Sequence, residues 1–152
     1  MNEFYSQIIV KDPRFQSEER VADLALLEPN TRHKILNLMA AAKTNGIELV
    51  VFETYRSEQR QLELYRQGAS KLKTVGGHHY GLACDLFKIA TTKGAVKDDS
   101  LVLEQLAHEQ GLFCGSDLRS NDIRFTFFDP AGLELIRGGT DEKRGSAPKA
   151  EA

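Results

Sequence analysis

The apolar positions change period several times along the chain, and each change predicts an element. Ile35, Leu36, Leu38, Met39 and Ala42 recur at helical spacing, with Thr31 as a candidate N-cap and Asn45-Gly46 as the stop. Upstream, "SEERVADLALLEPN" predicts a short helix over Val21 to Leu27 that Pro29 and Asn30 break. "IELVVFETY", dense in β-branched and aromatic residues, predicts a strand from Ile47 to Tyr55. Ser57 can cap a polar helix over Glu58 to Arg66 that ends at Gly68, with Glu58 suited to the positive end of the helix dipole. After a loop holding Gly76-Gly77, a second strand is expected from Tyr80 to Ile89.

Beyond the polar connection "TTKGAVKDDS", a helix from Leu101 to Gln110 buries Val102, Leu103, Leu106 and Ala107, with Asp98, Asp99 or Ser100 as its cap and Gly111 as its close. The turn-rich "CGSDLRSND" then leads into "IRFTFF", a last strand. The order predicts an α+β fold, a small antiparallel sheet packed with helices, in one domain over residues 1–137. Residues 138–152, small and charged without aromatics, read as a flexible tail.

Composition narrows the function classes. At 152 residues the chain is one domain with a real core, and its net charge of −2 gives no general attraction to nucleic acid or to an anionic membrane. No apolar run approaches the roughly 20 residues that span a bilayer. The opening lacks the basic start and long apolar stretch of a signal peptide, so synthesis in the cytoplasm without that signal is expected. Cys84 and Cys114 are the only cysteines, read as reduced core thiols and too few for a four-cysteine zinc site.

The chemistry concentrates in "TVGGHHYGLACDLF". In a strand, Leu82, Cys84 and Leu86 point to one face and Gly81, Ala83 and Asp85 to the other. The first set is core. The second places one carboxylate on an almost bare face that something else can approach, and His78 lies just ahead, where the loop can bend it over that floor. An imidazole and a carboxylate meeting there are two good zinc ligands. By spacing alone, a buried Asp that satisfies loop amides and a surface His near a turn account for the same residues.

The full string "HHYGLACD", His-x-x-Gly-x-Ala-x-Asp, resembles the family of zinc peptidases that includes D-Ala-D-Ala carboxypeptidases and L-Ala-D-Glu endopeptidases, to which many phage endolysins belong. "TYRSEQRQLELYRQG", "LEPNTRHKILNLMAAAKTNGIELVV" and "LEQLAHEQGLFCGSD" are similar to the family's neighbouring segments, in the same order from about Leu26 to Leu135. The resemblance implies a hedgehog/DD-peptidase-like fold, zinc as cofactor with His78 and Asp85 as two ligands, and peptidoglycan stem peptide as substrate. It implies that Arg56 holds a substrate carbonyl or carboxylate, that Gln61 braces the site, that Tyr80 contacts substrate, and that Asp122 moves the proton. The family's third ligand, a His in a segment like Asp-x-x-His-Phe, is missing from "SNDIRFTFFDP", where Phe125 or Thr126 takes its place depending on the alignment. Asp122, Asp117, Asp129, His79 and His108 are the remaining donors, Asp122 first, while His33 reads as surface.

Two functions follow. One is an endolysin-type zinc peptidase, monomeric, acting at the bacterial cell wall after release. The other is a catalytically inactive relative that binds cell-wall peptide or serves as a phage or prophage structural component.

Overall fold

The computed structural model describes residues 3–68, 76–89, 96–115 and 124–134. Among the described residues, helices α1 (Pro29–Thr44), α2 (Glu58–Arg66) and α3 (Val96–Glu109), with a further helical stretch over residues 130–134, accompany strands β1 (Leu49–Glu53), β2 (Ala83–Lys88), β3 (Phe113–Gly115) and β4 (Arg124–Phe128). The strands form one sheet in the order β1-β2-β4-β3, every neighbouring pair antiparallel. The fold is α+β, as the alternation of periods predicts.

One face of the sheet carries the core. Cys84 and Leu86 of β2, Phe125 and Phe127 of β4, and Leu49 of β1 pack against Ile35, Leu38 and Ala42 of α1 and Leu103 and Ala107 of α3. Leu36, placed on the same stripe by spacing, is instead 45% exposed, because the helix turns it away from the sheet. A second cluster joins Ile9, Val21, Leu26 and Tyr55 and draws in Phe4, Tyr5 and Phe15. It packs the N-terminal segment, whose Tyr5–Ile9 turn is π-helical, beside the loop that carries the histidines.

Several boundaries differ from expectation, each for a local reason. The 21–27 stretch holds only a single 3-10 turn, Leu24–Leu26, whose Asp23 side chain accepts from the Ala25 amide. Pro29 starts α1 rather than breaking a helix, since its missing N–H is one that the first turn leaves unpaired anyway. Glu28, not Thr31, is the cap: its carboxylate accepts from the amides of Asn30 and Thr31. Helix α3 begins at Val96, so Asp98, Asp99 and Ser100 lie within it, and Asp99 pairs with the buried Lys88. β3 lies at the start of the piece read as turns. Strand β1 is shorter than the apolar run, because Thr54 leaves the sheet to bond the Val21 carbonyl. The proposed tail, 138–152, lies outside the described residues.

The second strand shows the largest correction. It starts at Ala83, not Tyr80: Gly77–Tyr80 forms a 3-10 turn and Gly81 follows at φ +74°. Gly81 is therefore a turn residue, not part of a bare strand face. A Cβ there would lie 2.7 Å from the Leu26 carbonyl oxygen and 3.0 Å from the Glu28 nitrogen, so both conformation and space require glycine.

Candidate active site

Two irregularities assemble the site on the sheet face turned away from α1 and α3. The first is the turn at Gly77–Gly81, which folds His78 back over β2. The second is a bulge in β1. Val51 pairs with Leu86, and Glu53, rather than Phe52, pairs with Asp85. Simple alternation would turn Glu53 toward the core. The extra residue rotates it to the side of Asp85 instead, the re-aiming that bulges provide.

His78 and Asp85, seven apart in the chain, meet in space. His78 Nε2 lies 3.2 Å from Asp85 Oδ1, and both residues are buried. The other ring nitrogen, Nδ1, is 2.8 Å from the Thr54 carbonyl oxygen. A carbonyl only accepts, so Nδ1 carries the proton and Nε2 presents its remaining valence to the carboxylate. A lone pair and a carboxylate at that separation need a cation between them, either a proton or a metal ion. Asp85 Oδ1 also accepts from Thr126 Oγ1 at 2.7 Å, and Arg56 reaches Oδ2 at 3.5 Å. Burial raises the Asp85 pKa, but His78, Arg56 and the Thr126 hydroxyl outweigh it and leave it at about 2.

The register decides between the two alignments of the last strand. Thr126 is the cross-strand partner of Asp85 and points to its face, whereas Phe125, opposite Leu86, is buried in the core. Thr126, not Phe125, therefore faces the His78–Asp85 pair. Its neutral hydroxyl is not a usual zinc ligand. Asp122 stands four residues ahead of Thr126, one more than an Asp-x-x-His spacing has. Asp122 and Asp117 lie outside the described residues. Among the described residues, no group of three His, Cys, Asp or Glu could hold a metal ion.

The other candidate donors are engaged elsewhere. His79 Nδ1 donates to the Arg56 carbonyl at 3.2 Å and its Nε2 accepts from the Tyr5 hydroxyl at 2.7 Å, while burial lowers its pKa, so it is a neutral structural ring. Asp129 is buried and accepts from Thr31 and Lys34 at the start of α1. His108 and His33 are exposed on α3 and α1. Tyr80 packs against Tyr5 and His79, with ring centroids 4.9 and 5.1 Å away.

Arg56 sits at the centre of an ion network. Its NH2 donates to Glu53 Oε1 at 3.0 Å and its NH1 to Gln61 Oε1 at 3.2 Å. Arg60 closes on the other Glu53 oxygen. Gln61, buried on the first turns of α2, thus orients Arg56. Arg56 Nε is buried without a partner among the described residues. Glu53 is the residue that sequence reasoning missed. Its signal was a lone acid in an otherwise apolar strand, three residues before Arg56, and the bulge that gives it meaning cannot be seen in the pattern.

The family model described as VanY: D-alanyl-D-alanine carboxypeptidase matches residues 24–115, a stretch that includes Arg56, His78 and Asp85 and ends before β4. The chain is 30% identical, over 155 residues, to the peptidoglycan L-alanyl-D-glutamate endopeptidase CwlK of Bacillus subtilis (strain 168), covering 89% of this chain and 84% of the relative. In fold it is similar to the L-Ala D-Glu endopeptidase ChiX of Serratia marcescens, at 18% identity and a TM-score of 0.51, over 76% of this chain and 94% of the other.

Proposed function

Since the chain belongs to the VanY D-alanyl-D-alanine carboxypeptidase family, we propose that it is a zinc-dependent peptidase acting on the stem peptides of peptidoglycan, at the cleft beside His78, Asp85 and Arg56. The observation that carries this reading is the His78–Asp85 pair. Their 3.2 Å separation suits one edge of a tetrahedral site with bonds of about 2.0–2.1 Å, and the Thr54 carbonyl holds the ring in the tautomer that a metal ligand needs. His78 and Asp85 fit as two ligands. The third does not come from the described residues, and Asp122 is the candidate for it or for proton transfer.

Zinc held by His78 and Asp85 would supply Lewis-acid polarisation of the scissile carbonyl and would activate a water. The protein's own contribution is positioning. Arg56, held beside the pair by Glu53 and Gln61, is the residue we assign to a peptide carbonyl or carboxylate. The similarity to CwlK favours the L-Ala–D-Glu bond. Action at the cell wall, as in a phage lytic enzyme, follows from that substrate.

Thr126 favours a second reading. With a hydroxyl facing the His78–Asp85 pair, the same cleft would bind stem peptide without cutting it, as a cell-wall-binding or phage structural relative. One experiment separates the two. The purified protein is titrated with zinc, metal content is measured by mass spectrometry, and a synthetic L-Ala-D-Glu peptide is followed by chromatography. Stoichiometric zinc and hydrolysis that Asp85→Ala abolishes support the peptidase. Saturable peptide binding with no product at any zinc level supports the binder. Neither binding nor product refutes both.

A further inference from the structure

The linker from β1 to α2, Thr54 to Ser57, carries several parts of the site. The Thr54 carbonyl takes the His78 ring proton, Arg56 supplies the guanidinium, and Ser57 caps the helix that holds Gln61. A linker outside strand and helix has no hydrogen-bond ladder of its own, so its backbone must be fixed from elsewhere. Here the N-terminal segment fixes it. The Thr54 amide donates to the Val21 carbonyl at 2.7 Å, and the Thr54 hydroxyl to the Asp23 carbonyl at 2.9 Å. The Tyr55 hydroxyl donates to the Phe15 carbonyl at 2.5 Å, and the Ser57 hydroxyl to the Ser17 carbonyl. All of these acceptors lie ahead of residues 24–115, the stretch that the family model matches.

Arg56 is tied by a longer route. Its amide donates to the His78 carbonyl at 3.2 Å, and its carbonyl accepts from His79 Nδ1 at 3.2 Å. His79 Nε2 in turn accepts from the Tyr5 hydroxyl at 2.7 Å. The rings of Tyr5, Phe15 and Tyr55 surround the buried His79, with centroids 5.3, 5.7 and 5.7 Å away. Ring packing is not directional enough to set which way an imidazole faces, whereas hydrogen bonds at both of its nitrogens are. Both backbone groups of Arg56 are thus joined to the Gly77–Tyr80 turn, and a hydroxyl from the N-terminal segment locks the joint.

We infer that Tyr5 is a positioning residue of the site: its hydroxyl, acting through His79, locks the backbone of Arg56 to the turn that carries His78. This rests on the reading of His78, Asp85 and Arg56 as one site and extends that site into the N-terminal segment. Tyr5 touches none of the three residues with its hydroxyl, so its effect passes through the His79 ring.

The test compares the full chain with Tyr5→Phe, which keeps the ring and removes only the hydroxyl. Amide hydrogen exchange followed by NMR reads the joint directly, since the Arg56 amide is one of its hydrogen bonds. Tyr5→Phe is expected to speed exchange at Arg56 about tenfold. Amides of the β2–β4 ladder should exchange as in the parent, and melting should stay within about 2 °C. Zinc affinity, measured by competition with an indicator, should fall about tenfold, as when a metal ligand loses an outer support. In a His79→Phe background the hydroxyl has no ring nitrogen to hold, so adding Tyr5→Phe changes neither reading further. Phe15→Leu thins the same ring cluster without touching the relay. It should lower melting and leave Arg56 exchange and zinc affinity unchanged. Arg56 exchange that Tyr5→Phe leaves unchanged, or that rises together with the whole ladder, or that Phe15→Leu speeds equally, overturns the role of Tyr5. Faster exchange with zinc affinity intact makes the contact structural and overturns the positioning. A parent that takes up no zinc overturns the metal reading of the site instead, and the exchange comparison still decides whether Tyr5 locks the joint.

Discussion

Glu53→Gln is the substitution that most directly tests how the site is held. Glu53 is 1% exposed and faces two arginines, with Arg56 at 3.0 Å. Burial by itself raises its pKa, but Arg56, Arg60 and His78 together bring it below the usual range. The carboxylate is therefore ionised and matched. Gln keeps the shape and one acceptor but leaves two guanidinium groups short of a counter-charge in a dry setting. Removing one partner of a buried pair costs about 3–5 kcal/mol. Because the amide oxygen still accepts, the low end, about 3 kcal/mol, is expected. At roughly 3 °C per kcal/mol for a chain of this length, melting falls by about 10 °C.

Urea unfolding followed by circular dichroism measures the free energy, and the same series against pH checks its origin. A carboxyl whose folded pKa is depressed contributes in full above its unfolded pKa of about 4.3 and loses that contribution as pH falls below it. The gap between parent and variant should thus be constant from pH 6 to 8 and close in acid. Arg60→Gln added to Glu53→Gln should cost less than the sum of the two alone, because the second change removes a charge the first left unpaired. A variant within about 0.5 kcal/mol of the parent at pH 7, or a gap that does not narrow in acid, refutes the ion network as a structural element.

Three further outcomes follow from the geometry. Thr126→His should raise zinc affinity roughly tenfold or more, by placing an imidazole opposite Asp85, and a competition titration with a zinc indicator reads it directly. Gly81→Ala should destabilise by about 1–3 kcal/mol in urea, since the new Cβ meets the Leu26 carbonyl at a residue held at φ +74°. Neither cysteine should react with iodoacetamide at pH 8 in the native state: burial pushes the Cys84 thiol up and raises Cys114 to about 12, so labelling that appears only with unfolding is expected.

How much of this was legible differs by element. The alternation in "LACDLF" sorted Cys84 and Leu86 to the core and Asp85 away from it, because a strand buried on one face repeats every second residue whatever surrounds it. Ser57 was readable as a cap for the same reason of locality, and its hydroxyl accepts from the Arg60 amide. The role of Gly81 was not readable, since a glycine in an apolar run looks alike whether it bares a strand or turns the chain past Leu26. Nor was the partner of Asp85. Phe125 and Thr126 fit a string of letters equally well, and only cross-strand pairing, a contact 41 residues away in the chain, separates them. His79 shows the opposite case. Its neighbour His78 reaches the carboxylate, while the 3-10 turn sends His79 into the ring of Tyr5.

The extra residue in β1 makes this strand unforgiving of length but not of identity. Many side chains could replace Phe52 and leave Glu53 where it is. Losing that one position would turn Glu53 in among the leucines, and Arg56 and Arg60 would then face an empty seat. Among homologous chains, gaps should therefore avoid residues 49 to 56 even where the letters drift.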